Sequence, residues 1–90
     1  MTGPSVRVLV VDDSVVVRRV VQDVLQAERD FEVVATAVDG EAALEVLERL
    51  PVDVVILDVE MPRLDGLETL RRLRPRWPSL PVIMFSNLTK

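Results

Sequence analysis

Apolar residues follow two rhythms along this chain, and the switching between them sets the expected fold. Val6-Arg7-Val8-Leu9-Val10-Val11 is short, Val-rich and almost wholly apolar, the pattern of a strand buried on both faces of a parallel sheet. It breaks at Asp12-Asp13-Ser14, which is turn and helix N-cap chemistry. Beyond the break, Val17, Val20, Val21, Val24 and Leu25 recur at helical spacing, with Arg18, Arg19, Gln22 and Asp23 between them. Propensity opposes this reading, since so many β-branched residues suit a strand better. The period decides for a helix, because a strand would alternate and this segment does not.

Phe31 to Ala37 reads as a second strand. Asp39-Gly40-Glu41 opens a second helix with Ala43, Leu44, Leu47 and Leu50 on one face, stopped by Pro51. Val54-Val55-Ile56-Leu57 is a third buried strand ending on Asp58, followed by the loop Val59-Glu60-Met61-Pro62-Arg63-Leu64. Asp65 is placed to cap a third helix, with Glu68 as the reciprocal half of a capping box. Leu67, Leu70, Leu73 and Trp77 form the expected stripe of that helix, and Pro75 and Pro78 close it. Pro81-Val82-Ile83-Met84-Phe85 is a fourth strand ending on Ser86. The result, β-α-β-α-β-α-β with short connections, predicts an α/β fold with an open, doubly wound parallel sheet. One domain spans residues 1–90, without repeats or a linker. Because such a sheet normally has another helix after its last strand, the domain is expected to be incomplete at its C-terminal end.

Composition narrows the chemistry. Ninety residues at 49% apolar and 29% charged fit one small domain. No run approaches the roughly 18–20 apolar residues of a membrane span, and the N-terminus lacks the pattern of a signal peptide. There is no cysteine and no histidine, so thiolate, disulfide and imidazole chemistry are excluded for these residues, and a cytoplasmic setting is expected. What remains is carboxylates, hydroxyls, backbone amides and hard cations. The net charge of −4 argues against nucleic acid and anionic membrane as partners. Acids concentrate in residues 31–60 and cations in 61–90. Arg71, Arg72, Arg74 and Arg76 read as the solvated side and last turn of the third helix, where cations suit the dipole.

Ligands of such sheets sit outside the carboxyl ends of the strands. Here those ends read Asp12-Asp13, Asp58 and Ser86, all expected at one crevice. Taken singly, each acid has a plain reading as a cap or loop residue. Taken together, they would repel one another unless a cation compensates. An all-oxygen site without His or Cys suits Mg²⁺. A carboxylate beside such a cation, with a hydroxyl and loop amides nearby, is equipped to accept a phosphoryl group.

Three runs carry a resemblance: Val8-Leu9-Val10-Val11-Asp12-Asp13-Ser14, Asp58-Val59-Glu60-Met61-Pro62-Arg63-Leu64-Asp65-Gly66 and Pro81-Val82-Ile83-Met84-Phe85-Ser86. In order and spacing they resemble the receiver domain of two-component response regulators, from about residue 6 to residue 89. The resemblance implies a flavodoxin-like fold and phosphorylation of Asp58 by a sensor histidine kinase or phosphotransfer domain. It implies Mg²⁺ bound by Asp13, Asp58 and the backbone carbonyl of Glu60, with Asp12 acting through a water. Ser86 matches the hydroxyl that contacts the phosphoryl group, and the amides of Glu60 and Asn87 would bond its oxygens. Such a domain is a switch more than a metabolic enzyme. Glu60-Met61-Pro62 and Ser86-Asn87-Leu88-Thr89 look most like the receiver of the chemotaxis protein-glutamate methylesterase, which implies an esterase output domain.

Receivers continue with a fourth helix, a fifth strand and a fifth helix, which these residues do not supply. The family's fifth-strand lysine cannot be assigned to Lys90, four residues after Ser86. By the same resemblance the first helix meets the kinase, which makes Arg18, Arg19 and Gln22 docking candidates against a plain reading as solvated surface. Met61 and Pro62 are expected to fix the loop after Asp58, and Gly66 to permit close approach of the backbone. Two rival functions fit the same residues. One is an Mg²⁺-dependent aspartyl phosphohydrolase, with Asp58 as nucleophile and Glu60 as general acid. The other is a scaffold that dimerises or swaps strands through the exposed edge of the fourth strand.

Overall fold

Each strand hands over to its helix through a short polar side chain. In the computed structural model, which describes residues 5–61 and 64–86, β1 (Val6–Val11) leads to Ser14, whose Oγ accepts the N–H of Val17 at 3.2 Å and opens α1 (Val15–Gln26). After β2 (Phe31–Ala37), the Asp39 carboxylate caps α2 (Gly40–Arg49) through the N–H of Ala42 at 2.8 Å. After β3 (Val54–Asp58), Asp65 caps α3 (Gly66–Leu73) through the N–H of Glu68 at 2.9 Å. The last described strand is β4 (Val82–Phe85). The caps satisfy orphan amides that would otherwise oppose helix initiation. The valines of α1 stay helical because the cap starts the turn and packing on the sheet favours it over propensity.

The four strands form one parallel sheet in the order β2-β1-β3-β4. The chain winds outward from β1 to β2, then returns to the other side of β1 for β3. The winding therefore reverses between β1 and β3, where an open α/β sheet leaves a crevice at its carboxyl edge. Along one face Leu9, Val11, Val55 and Leu57 are buried against Ala43 and Leu47 of α2 and Leu73 of α3, with Met61 and Leu80 closing the ends. Val8 and Val10, fully buried, point by the two-residue period to the other face, on which α1 packs.

Three expectations for the helices change. In α1 the sheet contact is a single row, half-buried Val17, Val21 and Leu25, while Val20 and Val24 are 55% and 64% exposed. In α3 the buried positions are Gly66, Thr69 and Leu73, and Leu67 is exposed. Thr69 takes the inward place because its Oγ1 donates to the Asp65 carbonyl at 2.7 Å, which lets a polar side chain be fully buried. Glu68 does not return the capping bond. Its carboxylate faces Arg71 at 3.3 Å and Arg72 at 3.5 Å one turn on.

One arginine leaves the solvated surface assigned to it, and another stays exposed but pairs. Arg74 is half-buried, and its Nη1 donates to the carbonyls of Trp77 at 3.1 Å, Pro78 at 3.3 Å and Leu80 at 2.7 Å. It thereby clamps the turn between α3 and β4. Arg76 pairs with Glu48 of α2 at 2.7 Å and lies 4.5 Å from the Trp77 ring centroid. At the opposite edge of the sheet from the crevice, Asp53 bonds both the side chain and the N–H of Arg7 and ties β3 to β1.

Leu73→Ala should lower unfolding free energy in urea titrations by about 2–5 kcal/mol, whereas Leu67→Ala should change it by no more than about 0.5 kcal/mol. The Arg7 side-chain hydrogen bond holds the Asp53 carboxyl below the ordinary carboxylate range, with the Arg7 amide adding to it. A depressed folded-state value stabilises the fold above the ordinary carboxylate pKa and loses that contribution as pH falls through the folded value. A carboxyl-carbon NMR titration should show the Asp53 midpoint below that of a solvated aspartate, and Arg7→Met should move it back up.

Candidate functional site

The register of the two central strands builds the site. Val11 pairs with Leu57, so the residues that follow them, Asp12 and Asp58, leave adjacent strands side by side. One carboxylate oxygen from each of Asp12, Asp13 and Asp58 lies within 4.8 Å of the others. Asp12 and Asp58 are fully buried and Asp13 is exposed, so the cluster runs from the interior to solvent. A small solute can reach it.

Backbone bonds hold each acid. Asp12 donates its N–H to the Ala37 carbonyl at 3.1 Å, accepts the Ser14 N–H on Oδ1 at 2.7 Å, and accepts Arg18 Nη1 on its own carbonyl at 2.7 Å. Asp58 accepts the Glu60 N–H on Oδ1 at 3.2 Å. The next residue, Val59, donates to the Phe85 carbonyl at 2.9 Å and accepts the Gly66 N–H at 3.0 Å. Gly66 sits so close that a Cβ there would lie 2.4 Å from the Asp58 carbonyl oxygen and 2.8 Å from the Val59 Cα. Only a residue without a side chain allows α3 to start against this peptide, the close approach expected from the sequence. Met61, also as expected, plants its side chain in the core and ties down the loop after Asp58. Pro62 lies outside the described residues.

Ser86 directly follows Phe85, the partner of Asp58 in the sheet, and is exposed at the same carboxyl edge. Glu60 is exposed, with its amide turned to Asp58. Asn87 and Lys90 fall outside the described residues. Of the proposed docking residues, Arg19 is exposed and paired with Asp23 at 3.3 Å, and Arg18 is turned inward to Asp12. That inward turn was missed from the sequence, although Arg18 lies four residues after the cap Ser14 and hence on the side of the helix facing the loop.

The cluster offers oxygen donors alone. Magnesium takes oxygens at roughly 2.1 Å in an octahedron and retains several waters, so three carboxylates spread over 4.8 Å suit a partly hydrated ion.

The response regulator receiver domain family matches residues 8–90. The chain belongs to that family. Receiver domains bind Mg²⁺ at an acidic pocket, and Asp12, Asp13 and Asp58 form an acidic cluster in this one. Among relatives, a protein-glutamate methylesterase/protein-glutamine glutaminase of Nocardioides sp. is 53% identical over 87 residues, covering 97% of this chain and 24% of the relative. The protein of the same description from Pyrococcus abyssi is 47% identical over 90 residues, covering 100% of this chain and 24% of the relative. The chain thus spans about a quarter of the length of the curated relatives it matches. The response regulator domain of Thermotoga maritima CheB superposes with a TM-score of 0.85 at 41% identity, covering 96% of this chain and 63% of that one. A chain of the CheX-CheY-BeF3-Mg complex from Borrelia burgdorferi gives 0.86 at 36% identity, covering 98% and 66%. The flavodoxin-like receiver fold and the resemblance to the methylesterase receiver both hold.

Gly66→Ala should destabilise this receiver by about 1–3 kcal/mol, the range for overpacking a tight contact. Its largest amide shift changes in a ¹⁵N–¹H spectrum should fall at Asp58 and Val59.

Proposed function

We propose that this receiver domain works in the cytoplasm, accepting a phosphoryl group on Asp58 from a histidine kinase or a phosphotransfer protein and thereby switching an output. The convergence of Asp12, Asp13 and Asp58 at the winding reversal of a receiver sheet carries this reading. In the transfer, an Asp58 carboxylate oxygen forms the new P–O bond while the P–N bond to the donor histidine breaks, and the electron pair stays on the imidazole nitrogen. The residues that would hold Mg²⁺ are Asp13, Asp58 and the carbonyl of Glu60, with Asp12 behind a water. When bound, the ion supplies charge compensation for the phosphoryl oxygens. The Glu60 amide, already turned toward Asp58, and the Asn87 amide would bond those oxygens, and the Ser86 hydroxyl would contact the group from the next strand. The relatives' description makes a methylesterase output in chemotaxis our reading for the whole protein. Among the described residues no helix is long and apolar enough to cross a membrane.

Thermal melts in Mg²⁺ with and without beryllofluoride, on the chain and on Asp58→Asn, test the reading. A ligand present at 100 times its Kd stabilises the folded state by about 2.7 kcal/mol, and each kcal/mol shifts the melting temperature of a domain this size by roughly 4–8 °C. A rise of that order, abolished in Asp58→Asn, is expected. A cooperative melt with no response in either protein would sink the reading. Sustained multiple turnover of a phosphate ester would favour the phosphohydrolase, with Glu60 two residues after Asp58 as its acid.

One observation favours a second reading. Among the described residues β4 is the outermost strand on its side of the sheet and Ile83 on it is 58% exposed, so pairing with another copy along this strand would bury apolar surface. Light scattering should then give a dimer mass, and a monomer at high concentration would exclude this mode.

A further inference from the structure

We infer that Arg18 is a positioning residue for the cation site, and that its place is inside the domain and not on a docking surface. The inference rests on the reading of Asp12, Asp13 and Asp58 as the Mg²⁺ pocket. Several bonds act on the segment from Asp12 to Ser14, which joins β1 to α1 without regular structure of its own. Asp12 N–H is held by the Ala37 carbonyl, and Ser14 N–H by Asp12 Oδ1. Another bond, from Arg18 Nη1 at 2.7 Å, falls on the carbonyl of Asp12.

That carbonyl belongs to the peptide plane that ends at the Asp13 nitrogen. A peptide is planar, so fixing its oxygen fixes the direction in which the chain enters Asp13. Asp13 is the exposed member of the cluster, and the Asp12–Asp13 peptide is the one plane that carries it directly from β1. Arg18 can reach back because its own N–H already donates to the Ser14 carbonyl at 3.0 Å, which fixes the first turn of α1 beneath the loop. The half-buried stem of Arg18 lies along this turn, and the guanidinium closes the ring from the helix to the end of β1. Removing the bond takes away one restraint on the Asp12–Asp13 peptide and loosens the direction in which the Asp13 carboxylate is presented to the other two.

The sign of the effect separates positioning from plain electrostatics. Deleting a positive charge beside an acidic pocket would by itself tighten cation binding. Loss of positioning weakens it, and removal of groups that orient metal ligands typically lowers metal affinity roughly ten- to hundredfold.

The decisive experiment is an Mg²⁺ titration of the ¹⁵N-labelled chain, read from the amide signals of Asp12, Asp13 and Asp58, for the parent, Arg18→Met and Arg18→Lys. Arg18→Met keeps the apolar stem and removes donor and charge. Its dissociation constant should rise roughly ten- to hundredfold while the remaining amides keep the folded pattern in the absence of metal. Arg18→Lys, which can still donate to one carbonyl, should return the constant toward the parent value. An Arg18→Met chain that is folded and binds Mg²⁺ as tightly as the parent, or more tightly, overturns the inference. Should that variant not fold, Arg18→Leu, which also lacks donor and charge, takes its place with the same two outcomes. A parent whose amides ignore Mg²⁺ altogether refutes the metal pocket itself and the inference with it, a result distinct from a responsive parent matched by its variant.

Discussion

The pairing of β1 with β3 is the constraint on which the carboxyl edge of this domain depends. Because side chains alternate along a strand, a slip of one residue between these strands would turn Leu9, Val11, Val55 and Leu57 away from α2 and α3. The apolar core therefore fixes the register, and the register in turn sets Asp12 beside Asp58. Two buried carboxylates next to each other would ordinarily be selected against in a small core. Here they sit where both strands end, and the burial of Val11 and Leu57 one residue earlier stabilises the pairing that brings them together.

How legible this was in the sequence depended on whether a residue's role was local. β1 and β2 were readable to the residue, since a short Val-rich run between turn residues has few other uses. The caps Ser14, Asp39 and Asp65 were equally readable, because an N-cap acts over three residues of its own chain. The three aspartates at strand ends were visible once the α/β pattern supplied the rule for where strands end. The failures came where two residues fitted the pattern equally well or where a turn folded back onto a side chain. Leu67 fits a helical stripe as well as Thr69 does, and only the position of Asp65 shows which of them turns inward. Arg74 looks like any other arginine in a basic run until the carbonyls of residues 77–80 converge on it. The width of the apolar stripe on α1 could be counted from the sequence, but the single row by which it meets the sheet could not.

Charge placement follows the same division between edges of the sheet. At the edge opposite the site, opposite charges meet: Arg7 with Asp53 across β1 and β3, and Arg76 with Glu48 between the ends of α3 and α2. These pairs are solvent-exposed and each stabilises the fold only modestly. At the site three carboxylates converge, and Arg18 at the start of α1 bonds a carbonyl oxygen of the loop.

The Arg74 clamp has a mechanical consequence for Asp58. From Asp58 the chain passes through the contact with Gly66 into α3, on to Arg74, and through the carbonyls of Trp77, Pro78 and Leu80 into β4. It returns by the hydrogen bond from Val59 to Phe85. This is a closed linkage, with α3 as a rigid rod of about 12 Å and the strand pair as its base. In such a linkage no bar moves alone. A displacement of the Asp58 peptide must be taken up by rotation of the rod or by opening of the arginine joint, and strain applied at that joint is delivered back to Asp58.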